Sequence, residues 1–200
     1  MEMFAYDGLN NIDGEYYLYK DGERVTNVFA YWNATYTNIF MYDGQPAAND
    51  DYKYLGEDNA ELGLKTGDTV YIRNQQLANG TLYVNGDYYA YENGKKIDGD
   101  FGDWGTNYKN LFLVNGQPAK NGVHTYNGEA YYFVNHQKAS GMHQVTEQII
   151  EDLAGEGIWG KYDGYYVFDG GKLADTATTE KTYDWNAKYT DMVMINGQPA

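Results

Sequence analysis

Three segments carry side chains suited to holding a ligand: NVFAYWNATYTN, DFGDWGTNYKN and TYDWNAKYTD. Each has one tryptophan (Trp32, Trp104, Trp185) and a tyrosine four residues on (Tyr36, Tyr108, Tyr189). Asp103 and Asp184 directly precede their tryptophans, and small polar residues such as Asn33, Thr106 and Asn186 fill the gap. A pyranose ring offers an apolar C–H face and a rim of hydroxyls. An indole or phenol ring can stack on the face, while amide and carboxylate groups take the rim by hydrogen bonds. The candidate ligand-binding residues are therefore Trp32, Asn33, Tyr36, Asp103, Trp104, Tyr108, Asp184, Trp185 and Tyr189. A competing reading makes the tryptophans core, since large aromatic side chains are mostly buried. Trp159, in GEGIWGKYDG, is a second-rank candidate.

Other chemistry has less support. Asp98, Asp100 and Asp103 have a loop spacing compatible with Ca²⁺. The first copy of the repeat described below has Thr26, Val28 and Tyr31 there, so a solvated acidic loop is expected and no metal. His124, His136 and His143 lack a metal-ligand spacing such as HExxH and read as surface residues. There is no cysteine, which excludes a disulfide framework, a thiolate nucleophile and a Cys-based zinc site. No GxSxG, P-loop or dinucleotide fingerprint occurs, and no cofactor is expected. The chain reads as a non-enzyme.

The elements that would position these residues repeat. Tyr16–Ala47 aligns without a gap to the segment 72 residues later, with 13 of 32 positions identical. A third copy runs from Tyr165 to Ala200 and carries four extra residues before its tryptophan. Shorter matching units, Thr66–Gly80 and Asn127–Gly141, lie between. Dipeptides such as Asp21-Gly22, Asn85-Gly86, Asn93-Gly94 and Asn115-Gly116 accept positive φ in type I′ turns, so the short segments between them are strands. An excess of tyrosine, 23 of 200 residues, suits half-buried pleated surfaces. Strand parity puts Tyr17 with Tyr19, Tyr89 with Tyr91, Tyr131 with Phe133 and Tyr166 with Phe168 on one face, read as core. The other face, with Leu18, Lys20, Ala90, Glu92 and Asp169, is read as solvent-facing.

The expected fold is mostly all-β, an elongated, β-solenoid-like array of stacked hairpins in which neighbours bury faces that one hairpin cannot. The array spans 1–200, with large copies at 13–47, 85–119 and 163–200, hairpins at 66–80 and 127–141, and insertions at 48–65 and 145–155. A helical turn is expected around Asn59–Leu62. Val145–Gly155 reads as a short helix lying over the array: Thr146 caps it, Ile149, Ile150 and Leu153 form its apolar side, and Gly155 ends it. The repeated Gln-Pro-Ala reads as a structural turn.

The stretch GTLYVNGDYYAYENGKKIDGDF (Gly80–Phe101) resembles bacterial cell-wall-binding repeats: choline-binding repeats, the glucan-binding repeats of glucansucrases and the C-terminal repeats of clostridial toxins. The resemblance covers about half the chain and implies a hairpin solenoid that binds sugar or wall polymers outside the cell. Choline-binding repeats carry Trp after the closing Gly, forming aromatic cages for a quaternary ammonium. Here those positions are Thr81, Asp100 and Met142, from which no cage can be assembled, so carbohydrate is the better expectation.

A net charge of −15 repels phosphate backbones and anionic lipid, so neither nucleic acid nor a membrane is an expected partner. No apolar run nears the ~20 residues that span a bilayer. Met1-Glu2-Met3 does not begin a signal peptide, and the chain stops directly after a repeated NGQPA, which reads as part of a longer multi-domain surface protein. The expected function is a non-catalytic module binding a polysaccharide, an α-glucan such as starch first. The alternative is a cell-wall anchoring or adhesin repeat on the surface of a Gram-positive bacterium.

Overall fold

The computed structural model describes residues 6–160 and 162–200. It is almost entirely β-structure, arranged as small antiparallel sheets that follow one another in chain order. Packing divides the chain into two compact units, Met1–Lys96 and Ile97–Ala200.

The first unit holds four three-stranded sheets. The first is Gly8–Ile12, Glu15–Lys20 and Glu23–Arg24; the second is Val28–Ala30, Ile39–Tyr42 and Gln45–Pro46. The third is Asp50–Lys53, Thr69–Arg73 and Gln76–Leu77; the fourth is Gly80–Val84, Asp87–Glu92 and Lys95–Lys96. The second unit begins with the fifth sheet, Gly99–Trp104, Tyr108–Val114 and Gln117–Pro118, and the sixth, Gly122–Tyr126, Glu129–Val134 and Gln137–Lys138. The seventh is Gly141–Gln144, Tyr165–Asp169 and Lys172–Leu173; the eighth has two strands, Met194–Ile195 and Gln198–Pro199. Each three-stranded sheet is a hairpin plus a two-residue return strand. The turn before the return strand places both residues at positive φ, as at Asn93 (48°) and Gly94 (80°).

One hydrogen-bond scheme joins neighbouring sheets within each unit. The central residue of each long strand donates its N–H to the second turn residue of the next sheet. The pairs are Leu18 to Gly44 (2.7 Å), Phe40 to Gln75 (2.8 Å), Tyr71 to Gly94 (2.7 Å), Phe112 to His136 (2.9 Å), Tyr132 to Gly171 (2.8 Å) and Val167 to Gly197 (2.7 Å). The residue after each return strand works in both directions. Ala78 donates to Tyr71 in its own sheet (3.0 Å) and accepts from Gly94 of the next (2.8 Å). Val25, Ala139 and Ala174 do the same. This accounts for Gln-Pro-Ala: Ala47 and Ala119 are buried, and their backbone forms the same bond within the sheet. Where the turn lacks glycine, a side chain reaches the alanine carbonyl instead. Gln75 Nε2 donates to Ala47 (3.3 Å), and His136 Nδ1 lies 2.8 Å from the Ala119 oxygen.

In the second to seventh sheets the middles of the long strands are buried on both faces, which corrects the expectation of one solvent-facing side, whereas Glu15–Lys20 of the first sheet has no fully buried residue. Ile39–Phe40–Met41, Val70–Tyr71–Ile72, Leu111–Phe112–Leu113 and Tyr166–Val167–Phe168 are buried throughout, as is Ala90. The flanking pair packs backwards and the central residue forwards. Val70 and Ile72 join Phe40 and Ala47 of the preceding sheet, while Tyr71 meets Tyr91 of the following one. In the same way Phe133 packs on Phe112, Tyr132 on Phe168, and Val167 on Met194. Only the strand ends, such as Lys20 and Glu92, are exposed.

The two insertions extend hairpin tips. Asp50–Lys53, expected inside the first insertion, is instead the opening strand of the third sheet. The extra residues are 54–68, which bury Tyr54 and Leu64. No helix forms at Asn59–Leu62. The segment is a turn closed by a bridge between Asn59 and Leu64, with Asn59 Oδ1 accepting from the Leu62 N–H (3.1 Å). Lys95 pins this loop from the fourth sheet, bonding Asp68 (2.6 Å) and the Gly63 carbonyl (2.8 Å). At the tip of the seventh sheet stands the expected helix, α1 (Glu147–Ala154), capped by Thr146 and ended by Gly155. Its Ile150 is buried, with Ile149 and Leu153 packed beside it. A single unforeseen turn, α2 (Thr176–Thr179), follows, with Asp175 as its cap.

Candidate functional site

The three Trp–Tyr segments fold as the outer ends of the second, fifth and eighth hairpins. The first and third are the same loop built twice. In the first, the Trp32 N–H donates to the Tyr36 carbonyl (2.9 Å), and the Tyr36 N–H returns to the Asn33 carbonyl (3.1 Å). In the third, Trp185 donates to Tyr189 (2.9 Å) and Tyr189 to Asn186 (3.1 Å). Asn33 Oδ1 also accepts from the Thr35 and Tyr36 N–H groups (2.9 and 2.8 Å), and Asn186 Oδ1 from Lys188 and Tyr189 (2.9 Å each). Asn33 is thus engaged in shaping the loop, the habit of asparagine in turns. The second copy reaches a related end by another route. Gly105 (φ 68°) stands where the others have Asn, and Trp104 pairs with Tyr108 across the hairpin.

The aspartates before the tryptophans also brace the loops. Asp103 accepts from the Asn110 N–H (3.3 Å) and binds Lys109 (2.9 Å). The hydrogen bond from Lys109, then that from the Asn110 backbone, hold its carboxyl below the usual carboxylate range. Asp184 accepts from the Asp191 N–H (3.1 Å). The following sheet adds a tether. Gln76 Nε2 donates to the Asn38 carbonyl (2.9 Å), and Gln137 Nε2 to the equivalent Asn110 carbonyl (3.1 Å).

On this frame the rings divide. Tyr36, Tyr108 and Tyr189 are 49%, 48% and 47% exposed, the same degree in all three copies. Trp32, Trp104 and Trp185 are half-buried, neither sealed in a core nor fully open. Trp104 packs against Phe101 (6.0 Å between centroids) and Trp185 against Tyr162 (5.2 Å). Tyr108 meets the His136 ring edge-on (5.3 Å). A recess of about 230 Å³, lined by Phe29, Asn38, Leu62, Gln76 and Leu77 among others, flanks the first loop. Trp159 is exposed and leans on Tyr166 (5.7 Å).

Asp98 and the three histidines have structural partners. Asp98 accepts from the Asn115 N–H, the role played by Asn79 towards Asn93 (2.9 Å) and by Asn121 towards Asn135 (2.8 Å). Among the described residues no group of three or more acidic or histidine side chains converges on a common point. His124 and His143 lie against the Lys120 and Ser140 carbonyls (2.8 and 3.0 Å), and part-buried His136 belongs to a turn, so they are not free surface groups.

Sequence reasoning missed one regular feature. A cation of the return strand covers the third residue of the long strand: Arg24 over Tyr17 (3.9 Å), Lys96 over Tyr89 (3.9 Å) and Lys138 over Tyr131 (4.0 Å). Those faces are occupied from within the chain by favourable cation–π contacts. The signal was the Glu-Arg, Lys-Lys or Gln-Lys pair after each of these turns.

No family model matches the chain, and no curated protein matches it in sequence. Among solved structures it is similar to choline binding protein F from Streptococcus pneumoniae (17% identity, TM-score 0.35), covering 92% of this chain and 72% of that one. It is likewise similar to CbpJ from Streptococcus pneumoniae (19% identity, TM-score 0.32), covering 92% of this chain and 73% of that one. An alternansucrase in complex with isomaltononaose matches at 17% identity and TM-score 0.27, over 86% of this chain and 15% of that one.

Proposed function

We propose that the chain is a non-catalytic carbohydrate-binding module of a secreted or cell-surface protein, and that its ligand is a polysaccharide held at the three Trp–Tyr loops. The observation that carries this is the near-identical exposure of Tyr36, Tyr108 and Tyr189, each presented from a braced loop beside a half-buried tryptophan. Half-open aromatic rings on rigid turns offer stacking surface at little entropic cost, and neighbouring polar side chains can meet the hydroxyl rim. A polymer that engages two of these loops at once gains ~10²–10⁴ in apparent affinity through effective concentration. A net charge of −15 opposes phosphate-rich wall polymers and leaves neutral glucans unaffected. Within that class an α-glucan is the first choice, from the likeness of the hairpin motif to glucan-binding repeats.

Native electrophoresis through gels containing starch, dextran or xylan tests the reading. Retardation by a glucan, and none in plain gels, is the expected result. Equal mobility in all gels would overturn it. Sedimentation with purified cell walls alone would move the assignment to wall anchoring.

A further inference from the structure

The two insertions do one job in two places. The insertion of the third sheet, 54–68, is an irregular loop, and that of the seventh carries α1. Each puts a leucine, Leu62 or Leu153, on the wall of a recess. The other walls correspond as well. Leu77 and Leu173 end the return strand of the same sheet, and Asn79 and Asp175 follow the joining residues Ala78 and Ala174. Asn93 and Asn196 open the turn of the next sheet, at φ 48° and 49°. Two unrelated segments thus complete the same recess, which mere lengthening of a hairpin tip does not require.

The two differ in charge. The recess in the second unit, about 420 Å³, holds the Glu129–Lys172 ion pair (2.9 Å) and Asp175. The recess in the first unit, about 230 Å³, is lined by Phe29, Leu62 and Leu77 and by the carboxamide residues Asn38, Gln76, Asn79 and Asn93. None of these is charged. Asn79 is engaged at both ends: its oxygen accepts from the Asn93 N–H (2.9 Å), and its nitrogen donates to the Leu77 carbonyl (3.2 Å). Gln76 Nε2 donates to the Asn38 carbonyl (2.9 Å). The side-chain amides of Asn38 and Asn93 have no partner among the described residues. Lys95 fixes the Leu62 wall through the neighbouring Gly63 carbonyl (2.8 Å).

We propose that the recess of the first unit is a binding subsite for one uncharged pyranose unit, separate from the ring faces of Trp32 and Tyr36. It deepens the proposed carbohydrate-binding role and rests on it. The volume lies below the ~300–1,000 Å³ of pockets that enclose drug-sized ligands, so the recess takes a single ring. Phe29, Leu62 and Leu77 offer an apolar surface to the C–H face. Carboxamides both donate and accept, as sugar hydroxyls do, so Asn38 and Asn93 suit the rim. Neutral side chains are also cheaper to desolvate than charged ones.

One ring held alone is too weak to retard migration in a gel, so spectroscopy reads it. Maltotriose and isomaltotriose, titrated in turn into the isotope-labelled chain, should give saturable NMR shifts at the side-chain amides of Asn38 and Asn93. The shifts should persist in the Tyr36→Ala, Tyr108→Ala, Tyr189→Ala variant. Asn93→Asp keeps the turn, since Asp43 holds the same turn position at φ 49°. It should weaken binding at the recess by about 3–10-fold, through a lost donor. Asn38→Ala, at an exposed position, should weaken it likewise and serves if Asn93→Asp fails to fold. Shifts confined to the Trp–Tyr loops would overturn the proposal and leave the carbohydrate-binding role standing. No shift anywhere from either sugar would overturn the α-glucan assignment with it. Glucuronate moving the same amides as strongly would contradict an uncharged ligand.

Discussion

At the scale of single residues, the site splits into groups that shape and groups that touch. Asn33 and Asn186 spend their carboxamide oxygens on loop N–H groups, and Asp103 and Asp184 brace backbone nearby. Asn33→Ala should therefore lower stability by about 0.5–1.5 kcal/mol, the worth of a lost hydrogen bond, visible as a lower urea midpoint. It should also weaken glycan retardation by loosening the loop, and Asn33→Asp should restore much of both. The Trp-x-x-x-Tyr spacing was legible because an aromatic pair repeated with polar filling has few uses. The bracing role of Asn33 was not, since an asparagine beside a tryptophan reads equally as a rim contact or a turn residue. Only the backbone geometry separates the two.

At the scale of elements, the fold was legible wherever turn chemistry is local. Asn-Gly and Asp-Gly marked most turns, and Thr146 with Gly155 bracketed α1. Two turns were hidden because Asn74-Gln75 and Asn135-His136 put ordinary residues at positive φ, where side-chain contacts to Ala47 and Ala119 compensate. Burial of both strand faces was hidden too, because alternation assigns faces and cannot say what covers them. The packed turns make a sharp comparison. Gly171 and Gly22 have nearly the same φ, 83° and 82°. A Cβ at Gly171 meets Tyr131 Cβ and the Tyr132 carbonyl at 3.1 Å, while one at Gly22 meets open space. Alanine at either carries the same backbone strain, and overpacking adds about 1–3 kcal/mol at Gly171 alone. Urea titrations of the two variants should differ by that amount, and equal losses would refute the scheme joining the sheets.

At the scale of the whole molecule, stability comes from several small apolar clusters, one between each pair of neighbouring sheets from the second to the fourth and from the fifth to the eighth. The five ion pairs among the described residues lie near the surface and add little each. Buried phenols set a pH limit instead. Burial, helped by the Asp51 charge, pushes Tyr91 up to about 12, and burial also raises Tyr132. A phenol whose pKa is higher folded than unfolded stabilises the fold fully below about 10. That stabilisation is lost as pH rises from there through the folded value. Alkaline titration should show a late class of tyrosinate absorbance that appears together with loss of the circular dichroism signal. Ionisation of every tyrosine with the fold intact would contradict this burial. The likeness between copies made the repeat legible, whereas the division at Lys96 and Ile97 has no mark in the sequence.

The most direct test of the central claim is the affinity of the triple variant Tyr36→Ala, Tyr108→Ala, Tyr189→Ala for the glucan that retards the unmodified chain. Exposed side chains of this kind shift stability by only about 0.5 kcal/mol each, so the variant should fold. The account predicts that each single variant weakens retention and that the triple variant loses it, falling by ~10²-fold or more as the linked sites fail together. Undiminished retention by a folded triple variant would contradict the account.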